Sequence, residues 1–370
     1  MTEALDAFDY ALFGLTVLVS ACVGIYFSWK SARRREEESN IEYLLGNRRM
    51  PVIPTSLSVL TSVLSSIILI GIPAEVYSRG VNAWIYTVSG AISMVINAFV
   101  FLPVFYKLNP TSVHDYFVAR FHSVVLRTII ATAYVVSTLF YMSIVIYAPA
   151  IALSSVVDFQ LWIFIVIVGL VCTFYTTIGG LKAVVWADTF QSIIMFIGVL
   201  VLVIKGSLDA GGWNRIWHLN IKYGRTDPAT KYLDPSPFQY MSLWTAIASA
   251  IPFWLAQYGV SQMAVQRYCS LPTLKQARTV VAITTPMFLV LSSLPCFLGL
   301  IMYAYYFGCD PLKTGRLKRD QLVISFVMDV LGKIPGLPGL FLACLCSGTL
   351  STVSSGVILI VKTKVATVLC

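Results

Sequence analysis

Nine residues near the end of the chain, Ser347-Gly348-Thr349-Leu350-Ser351-Thr352-Val353-Ser354-Ser355, carry hydroxyls at a density unusual inside an apolar run. Gly348, Ser351 and Thr352 stand at i, i+3 and i+4, which puts them on one face of a helix. Neutral oxygens suit a hard cation such as Na⁺ at a site that must also release it. Two hydroxyls joined by carbonyls freed from a broken helix would supply them. The same spacing also fits hydroxyls that bond their own i−4 carbonyls or join helices together. A second group lies at 56–73: Ser56, Ser58, Thr61, Ser62, Ser65 and Ser66, then Gly71 and Pro73. A third is Pro252, Gln257, Tyr258, Gly259, Ser261 and Gln262.

Asp188 is the one acid placed near the end of an apolar stretch. It reads either as a functional ionisable group at the membrane edge or as a solvated cap of the helix that starts there. Glu75 and Arg79 read as an i,i+4 pair at an outer edge. Of the 3 histidines, 114, 122 and 218, none has HExxH spacing, and no paired carboxylates suggest intramembrane chemistry, so an enzyme is not expected. The 8 cysteines are scattered, without CxxC or Cys/His spacing, which gives neither a zinc site nor a disulfide framework.

The elements that must position these groups follow from composition. The chain has 370 residues, 58% hydrophobic and 12% charged, with a mean hydropathy of +0.80. Soluble domains carry about 25% charged residues. At about 20 residues per crossing, the apolar content suffices for up to ten or so spans. We expect nine, at 10–29, 51–72, 81–106, 124–150, 157–178, 185–204, 240–260, 279–306 and 337–361. The net charge of +9 then reflects Lys and Arg flanking the spans and does not call for a nucleic-acid partner. An extracellular N-terminus leaves 15 of the 26 basic residues inside, with most others in the long loops 206–238 and 308–335.

Spans two and seven are polar and interrupted by Gly and Pro. Paired spans of that kind point to an inverted-repeat transporter whose site lies at the broken helices. The substrate would then sit near midplane, and Ser65, Ser66, Tyr141, Trp254, Gln257 and Tyr258 are the candidate contacts.

Six segments, in order, carry a resemblance to a known family: YLLGNRRMP (43–51), GIPAEVYSRG (71–80), YMSIVIYAPAIAL (141–153), TFYTTIGGLKAVVWADTFQ (173–191), YGVSQMAVQRY (258–268) and GLPGLFLACLCSGTLSTVSS (336–355). The chain resembles the sodium/solute symporters, in the branch of the multivitamin, monocarboxylate and iodide transporters. The resemblance implies an all-α polytopic membrane protein with a leucine-transporter-type inverted-repeat core. It implies sodium ligands at the carbonyls of Thr61, Leu64 and Gly348 and the hydroxyls of Ser351 and Thr352, with Asp188 on the inner sodium exit path. Na⁺ would be the coupling ion, with no other cofactor. The solute would be a small organic anion such as biotin, pantothenate, lipoate or a short monocarboxylate, imported across the plasma membrane. The expected organisation is a first span and basic loop (1–50), a first five-helix repeat (51–206), an extracellular loop (207–239) and a second repeat (240–370). That second repeat is truncated, since the resemblance fades after Ser355. The alternative is a non-transporting membrane chain that acts by associating with a partner or a longer homologue.

Overall fold

The computed structural model describes residues 6–32, 43, 45–108, 112–156, 160–226, 236 and 238–368. Arg33, Arg34 and Arg35 of the basic loop lie outside the described residues, as does Cys370. All regular structure among those described is helical. Among the described residues five helices are long and apolar enough to cross a membrane, and up to seven if each of two bent pairs counts as one span.

The first helix, α1 (Ala7–Ala32), precedes the first bent pair, α2 (Val52–Val63) and α3 (Ser66–Arg79), which meet at 57°. The serines and threonine of α2 turn inward, and Ser56, Ser58, Thr61 and Ser62 are all buried. The second pair is α4 (Trp84–Phe99) and α5 (Phe101–Leu108), bent by 43°. The short α6 (Asp115–Phe121) leads into α7 (Val124–Val156).

The next element, α8, runs over Leu161–Asp209, 49 residues. At 1.5 Å per residue that is about 70 Å, more than twice the hydrocarbon thickness of a bilayer. It breaks at Gly180, where φ 57° and ψ −159° are open only to glycine. The break supplies the boundary expected between spans five and six. Tyr43 donates to the carbonyls of Thr176 and Thr177 at 3.2 and 3.1 Å, which takes up acceptors that the break releases.

α9 (Trp213–Lys222) follows, then α10 (243–260), α11 (Gln262–Cys269) and α12 (Leu274–Tyr305). α10 contains two π-helical stretches, Ala246–Ala250 and Ala256–Val260, on either side of Pro252. It stops where Ser261 turns extended (φ −68°, ψ 141°), and the Ser261 hydroxyl accepts from the Ala264 N–H at 3.2 Å to cap α11. The second interrupted span is thus present, with its break at Ser261. α13 (Leu322–Leu331) and α14 (Leu337–Val368) complete the described chain.

α14 is the centre of the bundle. Its membrane window is 89% buried, against 22–28% for α1, α7 and α8, and it packs on α8, α7 and α1. Such burial explains why its polar face must be satisfied by neighbours. At its N-terminus the buried Asp9 of α1 accepts the Gly339 N–H at 2.7 Å, an acid where a helix dipole favours one.

Candidate functional site at the broken helices

α2 ends because Leu64 (ψ 96°) and Ser65 (ψ 169°) leave helical geometry; the Leu64 N–H to Leu60 carbonyl bond, 3.1 Å, is the last rung. A helix that stops there releases the carbonyls of its final turn. Thr61 belongs to that turn and Leu64 is the residue at the break. α14 crosses at this level: a Cβ on Gly348 would stand 3.0 Å from the Ser66 nitrogen and 3.4 Å from the Ser65 carbonyl carbon. Glycine at 348 therefore lets the backbone of α14 approach the break.

The hydroxyls behave accordingly. Ser351 donates to the Thr61 hydroxyl at 3.0 Å, and Thr352 donates to the Gly348 carbonyl at 3.0 Å. Ser355 donates to the Ser62 hydroxyl at 3.2 Å, and Thr349 to the Ser66 hydroxyl at 3.0 Å. So Thr61, Gly348, Ser351 and Thr352, separated by some 290 residues, form one buried oxygen-rich seam beside Leu64. Both parts of the helix-packing alternative are seen: Thr352 bonds its i−4 carbonyl, while Ser351 and Ser355 join α14 to α2. The oxygen atoms brought together at this junction are hydroxyls and carbonyls, and among the described residues no group of three or more His, Cys, Asp or Glu could hold a metal ion.

One step along the seam lies a charge pair. Asp188, fully buried, accepts from the Ser58 hydroxyl at 2.5 Å and pairs with the Arg267 guanidinium at 3.0 Å. Arg267 also donates to the Ser58 hydroxyl (2.6 Å), the Ser355 hydroxyl (2.7 Å) and the Met263 carbonyl (2.8 Å). The other carboxylate oxygen of Asp188, Oδ1, has no hydrogen-bond partner. A solvated cap at the helix start is therefore the wrong picture of Asp188. It lies two turns past the Gly180 break and ties α8 to α2, α11 and α14 through Ser58 and Arg267. Arg267 was not singled out in the sequence. A lone arginine in a polar stretch after a broken span reads as a membrane-flanking charge, and its acid lies 79 residues away.

A cavity of about 230 Å³ opens on the opposite side of the break, lined among others by Ser65, Ile68, Tyr86, Tyr141, Trp254 and Gln257. Four of the six expected contacts are there. Tyr141 reaches the Ser65 hydroxyl at 3.4 Å, and Trp254 is held by an indole N–H bond of 2.8 Å to the Tyr86 carbonyl. Ser66 and Tyr258 stand outside the lining. Ser66 turns away to the Val145 carbonyl at 3.2 Å, and Tyr258 packs behind Trp254, ring to ring at 5.8 Å. The first turn of α3 faces the cavity with Ile67 and Ile68, so a helix N-terminus adds its positive partial charge.

The far end of α3 is clamped. Glu75 pairs with Arg79 at 3.4 Å, the expected i,i+4 contact, and with Arg319 at 3.6 Å. It also accepts the Tyr240 hydroxyl.

Comparison with known proteins gives the family and the fold. The family model described as Sodium:solute symporter family matches residues 43–366. The sodium-dependent multivitamin transporter of Oryctolagus cuniculus is 39% identical over 357 residues, 96% of this chain and 55% of that protein. Sodium-coupled monocarboxylate transporter 2 of Danio rerio is 40% identical over 95% of this chain and 56% of its own length. The human sodium/iodide cotransporter is 37% identical over 95% and 54%. The chain thus spans about half the length of the curated relatives it matches. A solved structure of a Na⁺-coupled sialic acid symporter, substrate-bound and outward-open, superposes with a TM-score of 0.86 over 95% of this chain and 72% of its own, at 22% identity. The fold is the all-helical, leucine-transporter type.

Proposed function

The chain belongs to the sodium:solute symporter family, and from that membership and the junction of α2 with α14 we propose that it is a Na⁺-coupled symporter of a small organic anion. The observation that carries the proposal is the 3.0 Å contact between Ser351 and Thr61, which joins the hydroxyl face to the last turn of the broken helix. In this reading Na⁺ lies between α2 and α14, held by the carbonyls of Thr61, Leu64 and Gly348 and the hydroxyls of Ser351 and Thr352. No carboxylate is required, so the ion is bound by dipoles alone and can be released each cycle. Ion binding stabilises the arrangement in which α3 is ordered, and this raises affinity for the solute by shifting the population toward it.

The solute occupies the cavity at Ser65, Tyr141, Trp254 and Gln257, and its negative end faces the first turn of α3. The named relatives carry vitamins, monocarboxylates or iodide, so we propose an anion of the vitamin or monocarboxylate class. The bundle that holds the broken helices rocks against the scaffold, and Asp188 marks the sodium exit path toward the cytoplasm. The plasma membrane and an extracellular N-terminus complete the proposal. A tenfold Na⁺ gradient supplies about 1.4 kcal/mol, and a potential near −60 mV supplies about 1.4 more per charge. Each ion thus supports roughly hundredfold accumulation of a neutral solute, and less of an anion that enters against the potential.

The test is radiotracer uptake by cells expressing the chain, offered biotin, pantothenate, lipoate and lactate in Na⁺ or choline medium. Saturable uptake of at least one in Na⁺ alone is the expected result. Equal uptake in both media, or none above untransfected cells with the chain at the surface, overturns the proposal.

A further inference from the structure

The helix α9 has three distinct sides. At about 100° per residue, Trp213, Trp217 and Ile221 fall in one stripe, and all three are exposed, by 59%, 43% and 54%. Asn214, Arg215, His218 and Lys222 occupy the next sector and are exposed as well. Ile216, Leu219 and Asn220 make up the third, which faces the protein: Ile216 and Asn220 are buried, and the Asn220 side chain donates to the Leu300 carbonyl of α12 at 3.1 Å. A helix in water would need only two sides. The exposed tryptophans stack on each other at 5.9 Å, and Trp213 packs on Phe297 of the apolar span α12 at 4.8 Å. The stripe is therefore continuous with the flank of the apolar span α12, and on its polar side come Asn214 and His218, with basic Lys222 and Arg215 beyond them.

We infer that α9 is an interfacial helix that lies along one membrane–water boundary. Trp213, Trp217 and Ile221 are sunk into the headgroup–acyl region of phospholipids, and the Asn214–His218–Lys222 side faces water. The partner is the bilayer itself, by virtue of an apolar aromatic stripe, a polar sector that carries Lys222 and Arg215 at its far side, and continuity with the span surface. α9 is joined directly to the broken helix. The Arg225 N–H bonds the Asn220 carbonyl at 2.8 Å, the Arg225 guanidinium donates to the Ser78 carbonyl of α3 at 2.5 Å, and its carbonyl accepts the Val81 N–H at 2.8 Å. The depth of α9 in the boundary therefore fixes the height of the end of α3.

Nitroxide scanning tests this independently of transport. The full chain, with Cys22, Cys309 and Cys370 replaced by serine, receives single cysteines in turn at 213, 214, 217, 218, 221 and 222. Each labelled variant that remains monodisperse is reconstituted in phosphatidylcholine vesicles, and its collisions with oxygen and with a water-soluble nickel chelate are measured. We expect an oxygen-to-nickel ratio at 213, 217 and 221 at least about threefold that at 214, 218 and 222, with the helical period. Ile221 and Lys222 preserve the comparison if the tryptophan variants fail to fold. Nickel dominance at all positions would place the stripe in water. Exclusion of both reagents from 213, 217 and 221 would mean that protein covers it. Either result overturns the inference.

Discussion

Ser351 and Thr352 carry the most specific expectation. Each is an oxygen donor whose removal leaves an alanine, the best helix former, inside α14. Bonds to a charged partner contribute about 1.5–3 kcal/mol, so Ser351→Ala or Thr352→Ala should raise the half-saturating Na⁺ concentration by roughly tenfold or more. A Na⁺ titration of either variant checks this. Asp188 and Arg267 make a different prediction, because breaking a buried pair strands a charge at a cost of about 3–5 kcal/mol. Asp188→Asn should lower the thermal midpoint of the detergent-solubilised chain sharply, and Asp188→Asn with Arg267→Gln should recover part of the loss. Equal destabilisation in the single and double variants would deny that the pair acts as a unit. The hydroxyls were legible in the sequence because Ser351 and Thr352 keep helical spacing with Gly348 in an apolar run. Arg267 was not, because nothing local distinguishes a buried guanidinium from a flanking one.

At the scale of elements, both interrupted spans were visible as Gly, Pro and hydroxyl-rich stretches; the structure puts the first break at Leu64–Ser65, among the hydroxyls and with Gly71 and Pro73 inside α3, and the second at Ser261. What the local pattern could not carry is direction. Ser66 and Tyr258 have the right chemistry and the right helices, yet Ser66 bonds the Val145 carbonyl and Tyr258 lies behind Trp254. Which side of a break a residue faces depends on the crossing partner, α14 or α7, chosen by tertiary packing. The closest of these crossings is at Gly348, and it yields a third prediction. In Gly348→Ala the new Cβ would sit 3.0 Å from the Ser66 nitrogen. Overpacking of about 1 kcal/mol should weaken Na⁺ binding roughly fivefold while leaving helix content by circular dichroism unchanged. Wild-type Na⁺ affinity in this variant would mean that α14 and the break need not touch for the ion to bind.

In the whole molecule α14 is the core of the bundle and, under the proposed function, one wall of the ion site, so that sodium binding and bundle packing would be the same event. A ligand that binds the folded chain stabilises it by mass action. Na⁺ at about one hundred times its dissociation constant should therefore add about 2.7 kcal/mol of apparent stability over choline, read as a higher thermal midpoint, and K⁺ should not. The most direct measurement is equilibrium binding of ²²Na⁺ to the purified chain, compared with the Ser351→Ala/Thr352→Ala double variant. Saturable binding that unlabelled Na⁺ displaces and K⁺ does not is expected, lost in the double variant while its helix content persists. Saturable binding of the same affinity in the double variant would contradict it.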